Sequence, residues 1–128
     1  MTPDDEVYTQ AIARWPANVE RNARVVAFVK DMDDVALALK YARTNNLQVA
    51  IRCGGHSPSG ASSAEDGLVT DLSRYPEYAI VDPEKCTARV GGGSLWATVE
   101  NEAIKHGLAS VAGTVNHVCH CDLHSMRY

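Results

Sequence analysis

Nowhere in this 128-residue chain do lysine and arginine cluster, and no apolar run approaches the length needed to cross a bilayer. The first absence, with 12 basic against 16 acidic side chains and a formal net charge of −4, removes nucleic acid and anionic membranes from the expected partners. The second removes a spanning helix. The N-terminus, Met1-Thr2-Pro3-Asp4-Asp5-Glu6, also lacks the basic and apolar regions of a secretory leader, so a soluble, cytoplasmic protein is expected. In a reducing compartment Cys53, Cys86, Cys119 and Cys121 are expected as thiols rather than as two disulfides. There is no internal repeat and no low-complexity segment. Hydrophobic residues at 45% and charged residues at 22% are ordinary globular proportions, enough for one domain or part of one.

What is present is a run of alternating periodicities. Val7, Ala11, Ile12 and Trp15 fall on one face of a helix predicted over residues 4–16 and ended by Pro16. A β-type run follows over 24–29. Residues 31–34 then supply N-cap candidates for a helix whose Val35, Ala38, Leu39 and Ala42 share a face, with Asn45-Asn46 as its stop. A second strand is predicted over 47–51. Strand, helix and strand joined this tightly predict a right-handed βαβ unit with parallel strands. Further along, 67–72 reads as a strand, and 79–82 and 87–90 form a hairpin about Pro83-Glu84-Lys85. After Gly91-Gly92-Gly93, Ser94 is the expected cap of a helix with Leu95, Val99, Ala103 and Ile104 on one face and Gly107 at its end. Trp96 reads as core, and 108–111 as a short β-like segment.

The chain is organised around Arg52-Cys53-Gly54-Gly55-His56-Ser57-Pro58-Ser59-Gly60. Glycines let main-chain N–H groups approach an anion without an intervening side chain. The loop leaves the C-terminal end of a parallel strand, where open α/β sheets place their ligands. It is not a Walker loop, because no Gly-Lys-Ser/Thr is present. Nor is it a dinucleotide fingerprint, because the glycine spacing differs and Pro58 stands where a helix would begin. Spacing alone leaves two alternatives open: a cofactor loop, or a glycine-rich turn with an incidental histidine.

The segment from Val49 to Gly60 resembles the flavin-attachment segment of FAD-linked oxidases with a PCMH-type, vanillyl-alcohol oxidase-like FAD domain. That group includes berberine-bridge-type enzymes and 6-hydroxynicotine oxidases. Three further motifs match in the family's order: Gly67-Leu68-Val69-Thr70-Asp71-Leu72, then the run from Val90 through Gly91-Gly92-Gly93 to Trp96, then the run from His106 to Thr114. The resemblance implies an α+β fold, the N-terminal part of a PCMH-type FAD-binding domain: a βαβ unit with a small parallel sheet, then further strands and a helix. It divides the chain into an N-terminal helix or arm (1–19), a partial FAD-binding domain (20–118) and a divergent tail (119–128).

The resemblance also implies the cofactor, FAD, joined covalently through His56, and flavin-dependent oxidation of a small organic substrate of secondary metabolism, with oxygen reoxidising the flavin. Its cofactor-binding positions map to Arg52, Cys53, Gly54, Gly55, His56, Ser57 and Gly60, with Gly113 and Thr114 as a second contact. Some family members carry a second tether, a cysteine, where this chain has Val115, so a histidine-only linkage is expected. Past Val118 the family's glycine-rich continuation gives way to Cys119-His120-Cys121-Asp122. The substrate domain and its catalytic base have no counterpart here, and no catalytic residue is assigned. The alternative is therefore a truncated, non-catalytic fragment that binds flavin weakly or not at all, with uncovered edges open to self-association.

Other groups have plainer readings. Cys119, His120, Cys121 and His124 suit either a zinc site, at an uncommon spacing, or a disordered tail. His117 either faces the flavin site or is a turn residue. Asp71 and Asp82 read as strand-end or turn carboxylates, Cys53 as a small buried residue or a redox thiol, and His106 as a helix C-terminal charge.

Overall fold

The fold is known from a computed structural model that describes residues 1–111, 113, 115, 116 and 118. The β-branched runs form three parallel strands: β1 (Val25–Phe28), β2 (Val49–Arg52) and β3 (Leu68–Asp71). Between the first two lies helix α2 (Met32–Thr44), whose N-cap Asp31 accepts a hydrogen bond from the Asp34 amide as capping chemistry predicts. Asn46, just past the helix, adopts φ +53, the left-handed conformation that asparagine tolerates.

The strand order is β1-β3-β2. The predicted βαβ unit exists as a parallel crossover, but its two strands are not neighbours, because β3 is inserted between them. All four β3 residues are buried, Thr70 and Asp71 included, whereas Val49 and Ile51 of β2 are exposed, so the strand covered on both faces takes the central position. In register, Val25 and Val49 flank Leu68, and Phe28 and Arg52 flank Asp71.

Alternation splits the core between the two faces of this sheet. On one face Val26, Val69 and Ala50 pack with Tyr8, Ala11 and Ile12 of helix α1 (Tyr8–Ile12) and with Ala23 and Ala64. On the other, Leu68 and Val29 pack against Ala38 and Ala42 of α2. Side chains as fully buried as Leu68, Val26 and Val69 contribute about 1.5–3 kcal/mol each. Ala38 and Ala42 centre the buried face of α2, and Leu39, placed on that face by its spacing, lies at its edge with 45% exposure.

The strands β4 (Ala79–Asp82) and β5 (Thr87–Val90) pair as the predicted antiparallel hairpin, and helix α3 (Trp96–Ile104) follows. Trp96, Val99 and Ala103 are buried as expected, while Ile104 is exposed. Ser94 does not cap the helix. Its hydroxyl bonds the Tyr78 amide and carbonyl instead, and Leu95 stands at the N-cap without a side-chain bond. The amides of Trp96 and Ala97 donate to the carbonyls of Val118 and Asn116, so the chain itself closes that helix end. Gly91 and Gly93 are close-approach positions: a Cβ on either would sit 2.6 Å from a backbone oxygen, of Pro76 or of Leu72. Residues 108–111 adopt no strand.

Helix α1 is shorter than its periodicity predicts. The backbone leaves helical geometry at Ala13, where the Arg14 guanidinium folds back onto the carbonyls of Ala11, Ile12 and Ala13. That reversal carries Trp15 off the apolar face to 71% exposure.

An exposed ion pair ties the start of β1 to the turn before β3. Arg24 Nε and Nη2 donate to the two Asp66 oxygens at 2.8 and 2.5 Å. The hydrogen bond from Arg24 holds the Asp66 carboxyl below its ordinary 3.8. A depressed carboxyl stabilises the fold above its unfolded value and loses that contribution as pH falls through the folded value. Asp66→Asn is therefore expected to lower the urea midpoint slightly near neutral pH and to match the parent well below 3.8. High salt should shrink the difference, since both side chains are exposed.

Candidate functional site

The C-terminal ends of the three parallel strands are joined by polar contacts. Arg52 Nη1 donates to Asp71 Oδ2 across the β2–β3 register, with the carboxylate fully buried and the Arg52 side chain 17% exposed. Asp71 Oδ1 also accepts from the Ser73 amide at 2.8 Å, and Asp71 O from the Val29 amide at 3.1 Å. Asp71 is thus a strand-end carboxylate, and Asp82 likewise a turn carboxylate that accepts from the Lys85 amide and ammonium.

The His56 loop leaves this junction. Cys53 is buried at its root. Gly55 and Gly60 adopt φ +74 and +76, conformations that an L side chain strains to reach. A Cβ at Gly55 would also press on Arg14 Cδ at 3.1 Å and Arg52 Nε at 3.3 Å. From behind, the arm between α1 and β1 holds the loop in three places. The Trp15 amide donates to Gly55 O at 3.2 Å, Arg14 Nε and Nη2 donate to Ser62 O at 3.2 and 2.6 Å, and Val19 packs at Gly60. The Trp15 ring stacks on His56 with centroids 5.3 Å apart and planes 24° from parallel. His56 itself is half-buried.

Of the sequence-predicted site residues, the structure brings Arg52, Cys53, Gly54, Gly55, His56, Ser57 and Gly60 into one loop. Gly113 is half-buried, and among the described residues no hydrogen bond or ring contact joins it to that loop. Thr114, His117 and the Cys119, His120, Cys121 and His124 group lie outside the described residues. Arg14, Trp15 and Val19 were missed. The only signal for them was a Trp-Pro pair after a short helix, which reads as ordinary amphipathic packing.

The loop has the chemistry of a polar ligand site. The amides of Gly55 and Ser57 find no acceptor among the described residues. Arg52 Nε, Ser62 Oγ and Ser63 Oγ are buried with no hydrogen-bond partner there. Buried polar groups left unsatisfied are costly, and a cluster of them beside glycines of positive φ suits an anion or a polyhydroxylated cofactor. These residues fit FAD. Two grooves among the described residues lie elsewhere. One of about 340 Å³ runs between α3 and the hairpin, lined by Val81, Val90, Trp96, Val99 and Leu108, and another lies between α2 and β1. Both are mainly apolar.

Comparison with known proteins points to FAD as the cofactor. A family model described as FAD binding domain matches residues 23–119. The chain is 33% identical over 121 residues to (R)-6-hydroxynicotine oxidase of Paenarthrobacter nicotinovorans, covering 94% of this chain and 26% of that protein. It is 36% identical over 113 residues to the FAD-linked oxidoreductase pgmH of Aspergillus terreus, covering 88% and 23%. Among solved structures, 6-hydroxy-D-nicotine oxidase from Arthrobacter nicotinovorans superposes with a TM-score of 0.83 at 31% identity, covering 94% of this chain and 26% of that one. The chain spans about a quarter of the length of the curated relatives it matches. A match over three-quarters of the sequence, with a glycine-histidine loop at the C-terminal edge of a small parallel sheet, makes this chain a member of the FAD binding domain family of PCMH-type, FAD-linked oxidoreductases.

Proposed function

We propose that this chain forms the front part of the FAD-binding half of an oxidoreductase that oxidises a small organic substrate, with the flavin tethered through His56. The observation that carries the reading is the site of His56, in a loop whose backbone is fixed from behind and whose Gly55 and Ser57 amides have no acceptor among the described residues. When bound, FAD accepts a hydride from substrate and passes the electrons on, to oxygen in this reading. The chain's own residues would bind and orient it. The backbone at Cys53, Gly54, Gly55 and Ser57, with the Gly60 turn, would cradle the pyrophosphate. Arg52 Nε would add a donor, and Gly113 and Thr114 a second contact. A neutral His56 imidazole would bond the 8α carbon, replacing a methyl C–H by C–N. That change would be a two-electron oxidation with oxygen as the oxidant, the two electrons and the two hydrogens lost, one from the methyl carbon and one from the imidazole nitrogen, together converting oxygen to hydrogen peroxide. Val115 in place of a second cysteine supports a histidine-only link.

A second reading is a non-catalytic polypeptide that holds flavin weakly. It is favoured by apolar side chains left exposed on α2 and β2, Leu37 at 64% and Ile51 at 60%. Those surfaces and the outer edge of β2 would also be the route to self-association. The charge balance supports a small-molecule substrate rather than a nucleic acid or membrane partner.

Acid precipitation followed by flavin fluorescence separates the readings. The parent protein is expected to keep yellow, fluorescent flavin in the pellet, and His56→Ala to release all of it to the supernatant. Flavin wholly in the supernatant for the parent rejects the tether. No flavin in either fraction favours the non-catalytic reading.

A further inference from the structure

We propose that Trp15 is the positioning residue for flavin attachment, orienting the His56 imidazole for bond formation; this rests on the reading of His56 as the tether. Trp15 is the more exposed of the two tryptophans, at 71%, where burial alone gives a large apolar ring no reason to settle. Its one described ring contact is the His56 face. Two consecutive contacts fix the pair: the Trp15 amide donates to Gly55 O, and the Trp15 ring lies along the next side chain of the loop. The arm cannot slide without moving both.

The chemistry suits that arrangement. Attack on the 8α carbon uses an in-plane nitrogen lone pair. A neighbour stacked on one face of the imidazole restrains its rotation while both nitrogens, at the ring edge, stay out of the stack. Stacking at 5.3 Å and 24° lies within the favourable range for aromatic pairs. Removing it from an oriented nucleophile is expected to slow bond formation by about three- to tenfold. Arg14 strengthens the fixture from behind, since its guanidinium links the end of α1 to Ser62 past the far side of Gly55.

The test uses apoprotein made under riboflavin limitation, then mixed with FAD, with acid-stable flavin followed over time. Trp15→Ala and Trp15→Leu are expected to attach flavin about three- to tenfold more slowly than the parent, and Trp15→Phe to recover most of the rate. Thermal midpoints of all three should match the parent, because an exposed ring adds little to the core. The His56 imidazole protons, read by NMR without flavin, should move downfield in Trp15→Ala and Trp15→Leu as the indole ring current is lost. Attachment at the parent rate in Trp15→Ala, or Trp15→Phe as slow as Trp15→Ala, overturns the proposal. If the parent attaches no flavin, the tether reading falls and this inference with it. If the parent attaches flavin and Trp15→Ala and Trp15→Leu attach it at the parent rate, the tether stands and the positioning role alone is rejected.

Discussion

Asp71→Ala is expected to lower stability by about 3–5 kcal/mol, the usual cost of removing one partner of a buried ion pair. The carboxylate is completely buried at the end of the central strand, and Arg52 beside it is largely buried too. Alanine would leave a guanidinium in a poorly solvated position, remove the acceptor of the Ser73 amide and open a small cavity at the root of the His56 loop. Since small domains are stable by only about 5–15 kcal/mol, the loss would be plain as a shift in urea midpoint. Much of that cost comes from stranding the arginine. The double variant Arg52→Met with Asp71→Leu should accordingly recover most of the stability, with a strongly non-additive cycle. An Asp71→Ala protein that unfolds at the parent's midpoint would contradict the burial and pairing described for this residue.

Gly67→Ala carries the second large effect, of about 3 kcal/mol, by overpacking rather than by charge. A Cβ there would sit 2.6 Å from Gln48 O and 2.7 Å from Ala64 Cβ. Gln48 O is also the acceptor of the Leu68 amide at 2.8 Å, the first hydrogen bond of the β2–β3 ladder. The methyl group can be admitted only by moving that carbonyl, so the cost combines steric strain with a weakened ladder bond. Gly107→Ala is the natural comparison. Its φ of +69 is strained for alanine, but nothing lies within 4 Å, and it should cost only about 1 kcal/mol. Equal midpoints for the two variants would show that the contact at Gly67 relaxes without penalty.

Local features were legible in the sequence because their causes are local. The Asp31 cap, the Asn45-Asn46 stop, the hairpin about Pro83 and the position of the loop after β2 all follow from residues within a few places of one another. The insertion of β3 between β1 and β2 was not legible, because it depends on which strand has both faces covered. Ser94 looked like a helix cap in one dimension, but Tyr78, distant in sequence, takes its hydroxyl. Gly67, Gly91 and Gly93 could be seen as glycines but not as contacts with Gln48, Pro76 and Leu72. At the site, the loop and its histidine were read from spacing and resemblance. The arm behind them was not, because Arg14 caps α1 through three carbonyls and so expels Trp15 from the face that its periodicity assigns to it.

The strand order also sets a schedule for folding. The middle strand of the sheet is the last of the three to be synthesised, and neither β1 nor β2 can pair with the other across the gap it will fill. A growing chain that has reached α2 and β2 therefore carries two unpaired strands whose ladders wait for residues 68–71. Parallel closure of this kind is slow, because loop entropy is lost before any long-range contact compensates. Translation pauses or chaperone contacts that act between β2 and β3 should thus govern yield more than those acting elsewhere, and pulse-labelled nascent chains released on either side of Asp71 should differ sharply in protease resistance.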